Sequence, residues 1–161
     1  MSTSDYKLDA LKAKEKLKTV SPSMCLAKWN QTSLHLPTGL TNSCYHPPLH
    51  KMDAEAVKKN PAALHNTQEK LNQRQQMLQG EQPAGCSYCW NMEKTGEMSD
   101  RHYRSGEPWA MQDFEDIRKN PIDEHWTPRY VEVNFNNACN LQCSYCSPQF
   151  STKWGKEIDR Y

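Results

Sequence analysis

The chain has 161 residues, 20 basic and 19 acidic for a formal charge of +1, and 36% apolar residues. That balance asks for neither nucleic acid nor an anionic membrane as partner, and no apolar run approaches the roughly 18 residues that span a bilayer. The polar start has no signal-peptide h-region or cleavage site, and seven cysteines without an export signal read as metal ligands in the cytoplasm rather than as a disulfide framework.

The length fits one domain or two small ones around a modest core. Residues 1–22 read as an N-terminal helical arm. Its helix, Asp5 to Lys18, carries Leu8, Leu11 and Leu17 on part of one face and is otherwise solvated. Residues 23–105 hold four cysteines. Ser33-Leu34-His35-Leu36 alternates like a strand, Pro37-Thr38-Gly39 is a turn, and Leu40 begins the return, so the hairpin can bring Cys25 and Cys44 together. Asp53 caps a short helix that stops before Pro61. A second helix runs from about Asn66 to Leu78, with Asn66 or Thr67 as cap, Gly80 as terminator and only a thin apolar face. The tight Cys86-Ser-Tyr-Cys89 loop follows.

Residues 106–128, with three prolines and a short helix near Asp113 to Lys119, read as a connector. From 129 to 135 a strand is predicted, with Val131, Val133 and Phe135 on one face and Tyr130, Glu132 and Asn134 on the other. It feeds directly into Asn137-Ala-Cys-Asn-Leu-Gln-Cys-Ser-Tyr-Cys146, in which Cys139, Cys143 and Cys146 are spaced Cys-x3-Cys-x2-Cys. Three thiolates so close can converge on one soft metal centre. A cubane with three thiolate ligands leaves one iron open to an exogenous ligand.

This loop resembles the hallmark of the radical S-adenosylmethionine superfamily, which lies at the end of the first strand of a partial β/α barrel. Tyr145 takes the aromatic place before the last cysteine, and Asn140-Leu141 after the first cysteine is also typical. The resemblance implies a 4Fe–4S cluster on Cys139, Cys143 and Cys146, whose open iron chelates S-adenosylmethionine, with Tyr145 at the cofactor. An electron from that cluster, supplied by an electron donor, cleaves the cofactor to methionine and a 5′-deoxyadenosyl radical.

Thirteen residues between Cys25 and Gly39, then four to Cys44, resemble the opening of the twitch and SPASM auxiliary-cluster modules. With Cys86 and Cys89 they imply a second, auxiliary 4Fe–4S cluster on four thiolates. Modules of this type often accompany modification of a peptide or protein substrate. Here they precede the three-cysteine loop, whereas in the family they usually follow the barrel. Only 15 residues follow Cys146, against about 250 for a complete eight-fold barrel. The expected class is therefore α+β: a small cysteine-rich auxiliary-cluster module followed by the first strand and cluster loop of a truncated barrel, 129–161, inactive alone.

Two alternatives stand beside it. Cys25, Cys44, Cys86 and Cys89 can equally form a structural zinc site in a non-catalytic interaction module. A simple electron carrier fits less well, because ferredoxin-type runs use Cys-x2-Cys-x2-Cys. Trp29, Tyr45, Tyr88, Trp90 and Tyr145 crowd the cysteines and suggest a dry aromatic shell. His35, His46, His50, His65, His102 and His125 have no regular ligand spacing and read as ordinary polar or turn positions, with His46 or His50 the candidates for touching a metal.

Overall fold

The computed structural model describes residues 3–139, 141–148 and 150–160. In chain order it contains α1 (Thr3–Lys18), α2 (Ala27–Asn30), β1 (Gln31–His35), β2 (Leu40–Asn42), β3 (His50–Lys51), α3 (Ala54–Lys59) and α4 (Gln68–Leu78). Next come α5 (Ser87–Lys94), α6 (Asp100–Gly106), α7 (Pro108–Met111), α8 (Phe114–Lys119), β4 (Tyr130–Asn134) and α9 (Thr152–Ile158).

The predicted hairpin forms. β1 and β2 pair antiparallel, with Ser33 opposite Asn42 and His35 opposite Leu40. Gly39 closes the turn at φ 64, a backbone region costly for residues with a Cβ. β3 pairs with the outer edge of β2. On the other side β1 pairs in parallel with β4, from Gln31 opposite Tyr130 to His35 opposite Asn134, giving the order β3-β2-β1-β4. Parallel pairing needs a long crossover, and α3 to α8 provide it. The result is a mixed α/β fold on a small mixed sheet. Among the described residues no helix is long and apolar enough to cross a membrane.

Two segments expected at the periphery are part of the core. α1 is no solvated arm: Leu8 and Leu11 face solvent, but Ala10, Ala13 and Leu17 are buried. These small side chains let α6 approach closely. A Cβ at Gly106 would lie 3.0 Å from the carbonyl of Asp9 and the nitrogen of Ala10. Likewise 106–128 is not a connector, because α7 and α8 insert Ala110, Phe114 and Ile117 among Leu17, Met24 and Trp29. Pro108 stands at the start of α7 and leaves its hydrogen bonding intact.

The central helices start and stop as their sequence signals indicate. Asp53 accepts from the amides of Glu55 and Ala56, and Thr67 from that of Lys70. At the C-terminal end of α4, Gly80 adopts φ 82 while the Gly80 and Glu81 amides bond back to Met77 and Gln76. In β4 the predicted faces hold, but the Val131, Val133 and Phe135 face is the exposed one.

Candidate functional site

Three separate pieces of chain deliver the first group of cysteines. Cys25 immediately precedes the Leu26-led α2, and Cys44 follows β2. Cys86 ends a 3-10 turn, Ala84–Cys86, and Cys89 lies in the first turn of α5. The stretch expected as a tight loop is thus a helix start, and its spacing of three sets both sulfurs on one face. All four cysteines line a single narrow chamber, a cavity of about 20 Å³, with Met77 and Trp90 among its apolar walls.

The chamber disfavours thiolates that have no cation to compensate them. Burial, with a contribution from neighbouring sulfurs, pushes the Cys44 thiol up to about 11 and the Cys89 thiol up to about 12. Cys25 is raised by burial and then by Cys86. A metal centre reverses this balance by supplying positive charge to the deprotonated sulfurs.

The surrounding protein carries a complementary excess of cations. Lys28, Lys70 and Arg74 are all at most 2% exposed. Their hydrogen-bond partners are neutral: Lys28 donates to Gln73 at 2.6 Å, and Lys70 to the hydroxyls of Thr32 and Thr41 at 2.8 and 3.0 Å. Arg74 reaches the Lys28 carbonyl, the Asn66 amide oxygen and the His65 ring. Desolvation brings Lys70 down to about 6 and Arg74 down to about 9. Arg101, on the chamber wall, differs in being neutralised by Glu93, with contacts at 2.9 and 2.5 Å. Buried cations without counter-charge are expensive, so Lys70 is largely uncharged near neutral pH in the metal-free chain, and four metal-bound thiolates would favour its protonated form. On this test the residues present suit an anionic metal–thiolate group.

His46 also lines the chamber. Its ring stacks on Tyr88 with centroids 3.9 Å apart and bonds to Asp100 at 2.7 Å. His50 instead bonds to Thr67 at 2.8 Å and does not line the chamber. The expected aromatic shell is partial. Trp29 and Trp90 are buried, Tyr45 and Tyr88 are about half exposed, and Tyr145 is 90% exposed. The phenols turn to polar partners; Arg104, for example, donates to the Tyr45 hydroxyl.

The second group lies on one loop at the C-terminal end of β4. Its first end is tied to the start of α9: the amides of Thr152 and Lys153 bond the carbonyls of Asn137 and Cys139 at 2.9 and 3.2 Å. The Trp154 indole donates to the Cys143 carbonyl at 3.0 Å, and the Ser151 hydroxyl to that of Leu141 at 2.8 Å. Cys139, Cys143 and Cys146 are half-buried free thiols. Tyr145 lies beside them, its pKa raised by a hydrogen bond to Cys143. A cleft next to Cys139 is lined by Lys153 and Lys156. Asn140 lies outside the described residues.

A second, open cleft adjoins the four-cysteine chamber. Tyr45, His46 and Pro47 line both it and the four-cysteine chamber, while Glu132, Asn134 and Phe150 line it from the β4 side. Among the described residues, no three His, Cys, Asp or Glu side chains are grouped so as to hold a metal ion. The four sulfurs therefore share a chamber without forming a ready-made single-ion cage.

Lys28, Lys70, Arg74 and Arg101 escaped the sequence reading. The available signal was the thin apolar face of α4. A helix wedged into the interior with so few apolar residues has to bury a polar stripe, here Lys70, Gln73 and Arg74 beside Met77. Comparison with protein-family models, with curated proteins and with solved structures finds no match for this chain.

Proposed function

We propose that this chain carries the cluster-binding part of a radical S-adenosylmethionine enzyme with an auxiliary iron–sulfur centre. The observation that carries the proposal is the division of the seven cysteines. Cys25, Cys44, Cys86 and Cys89 line one buried chamber, while Cys139, Cys143 and Cys146 share one loop beyond the end of β4. Four ligands close a cluster and three leave an iron open.

In this reading Cys139, Cys143 and Cys146 hold the cluster whose electron cleaves S-adenosylmethionine reductively. The backbone ties from α9 fix the first end of that loop, and Trp154 steadies its middle. Tyr145 stands at the open side, where its ring can lie against the cofactor. Cys25, Cys44, Cys86 and Cys89 hold the auxiliary cluster, dry on its Met77 and Trp90 side and compensated by the buried cations. The open cleft that runs from the chamber mouth to the β4 side is where a peptide or protein substrate would lie.

The test is anaerobic reconstitution with iron and sulfide, followed by metal analysis and visible spectroscopy. About eight irons and eight sulfides per chain, with a brown charge-transfer spectrum, are expected from two cubanes. Stoichiometric zinc at the four-cysteine chamber, without acid-labile sulfide, would replace the auxiliary cluster with a structural zinc site. That alternative has the ligand chemistry in its favour, four thiols on the wall of one chamber.

A further inference from the structure

Of the cations around the four-cysteine chamber, Lys28 is in a position of its own. It follows Cys25 by three residues on the segment that forms α2, and it lines the chamber wall. Arg101 lines the same wall, but its guanidinium is held by the Glu93 carboxylate. Lys70 and Arg74 are buried behind the wall and do not line it. The Lys28 ammonium is 2.6 Å from an amide oxygen, that of Gln73, whose own nitrogen donates to the exposed Glu69 at 2.7 Å. Gln73 thus aims the ammonium without cancelling its charge, and Glu69 fixes the orientation of the amide from outside.

We infer that Lys28 is a positioning residue of the four-cysteine centre, a fixed positive charge that raises the reduction potential of the cluster held there. The inference rests on the iron–sulfur reading of the chamber. A one-electron reduction adds a negative charge to a group that is already anionic. A cation held in a wall of low dielectric favours the reduced form more than the oxidised one. Nearby water would weaken the effect by screening, but Lys28 is only 2% exposed.

The experiment uses the full chain with Cys139, Cys143 and Cys146 replaced by alanine, so that only the chamber cluster is titrated. Reconstituted protein, Lys28→Met, Lys28→Gln, Lys28→Arg and Gln73→Glu are compared by anaerobic redox titration, with iron and sulfide counted for each. Lys28→Met is expected to make reduction at least tenfold less favourable, a shift of 59 mV to more negative potential for one electron. Lys28→Arg should stay close to the parent. Gln73→Glu, which places a carboxylate against an intact Lys28, should shift the potential in the same direction as Lys28→Met, and Lys28→Gln, which removes the charge and keeps a polar side chain, decides the matter if Lys28→Met loses its cluster. An unchanged potential in Lys28→Gln with full iron overturns the role of Lys28 and leaves the cluster reading intact. A parent protein that takes up zinc but neither iron nor sulfide overturns both.

Discussion

Ser33 and Glu132 face each other across the parallel register of β1 and β4, and the Ser33 hydroxyl donates to the Glu132 carboxylate at 2.9 Å. The Tyr130 hydroxyl donates to the other carboxylate oxygen at 3.0 Å. This contact joins the strand of the hairpin between Cys25 and Cys44 to the strand that presents the three-cysteine loop. The two cysteine groups are thereby carried on one sheet.

Glu132→Ala is expected to destabilise the protein by about 1–2 kcal/mol, the worth of one or two hydrogen bonds to a charged acceptor. Urea unfolding measures it. Glu132→Gln, which keeps an acceptor for Ser33, should recover much of the loss. If both variants unfold like the parent, the carboxylate is not what holds β4 to β1.

The hairpin, its glycine turn, the caps of α3 and α4 and the faces of β4 were legible in the sequence because each depends on residues close to one another in the chain. Asp53, Thr67 and Gly80 act within a turn of their own helix. The parallel partnership of β1 and β4 was not legible, since no local signal pairs Ser33 with a residue 99 positions away. The packing of α1 was hidden for a different reason. Leucines dominate a hydropathy pattern, yet Ala10 and Ala13 form the face that α6 covers. The cysteine groups could be read from their spacing. The thin apolar face of α4 was the one hint of the buried Lys70 and Arg74, and nothing local marked Lys28, because hydropathy assigns such residues to the surface.

Gly106→Ala tests the α1–α6 contact. Alanine would gain roughly 1 kcal/mol of helix propensity. The added methyl, however, would sit 3.0 Å from backbone atoms of Asp9 and Ala10, which cannot rotate away. Overpacking of this kind costs roughly 1–3 kcal/mol, so the clash is expected to prevail and to loosen α1. Limited proteolysis should cut the variant within residues 3–18 faster than the parent. Unchanged protection would mean that α1 shifts to accept the methyl.

Lys70 gives the metal-free protein a pH dependence with a definite sign. Its folded pKa, lowered to about 6 by burial, lies far below the ordinary lysine value. Between those two values the unfolded chain binds a proton that the folded chain releases, so stability rises with pH. The window to measure is about pH 6 to 7.5, below the range in which the raised cysteines contribute the opposite slope. There the stability of the metal-free parent should climb more steeply than that of Lys70→Met, by up to about 1.4 kcal/mol per pH unit. Thr41 retains its bond to the Ser33 carbonyl at 2.9 Å when the ammonium is gone, which favours folding of the variant. Parallel slopes would show that Lys70 keeps its proton inside the fold.

The two cysteine groups should also fail separately. Cys143→Ala removes one of three ligands from a half-exposed loop, and two thiolates there are too few to retain a cubane. About half the iron should be lost, with little change in melting temperature, because none of the loop cysteines belongs to the buried core. Cys86→Ala should remove the other half. It should also lower the melting temperature markedly, since Cys86 is buried in the core beside Cys25, Cys89 and Trp90, and binding energy at an assembled site is also folding energy. Iron counts and melts on both variants, made under identical anaerobic conditions, give the answer. Loss of all iron from either variant would mean that the seven cysteines act as one coupled site, and the division into a loop cluster and a chamber cluster would be wrong.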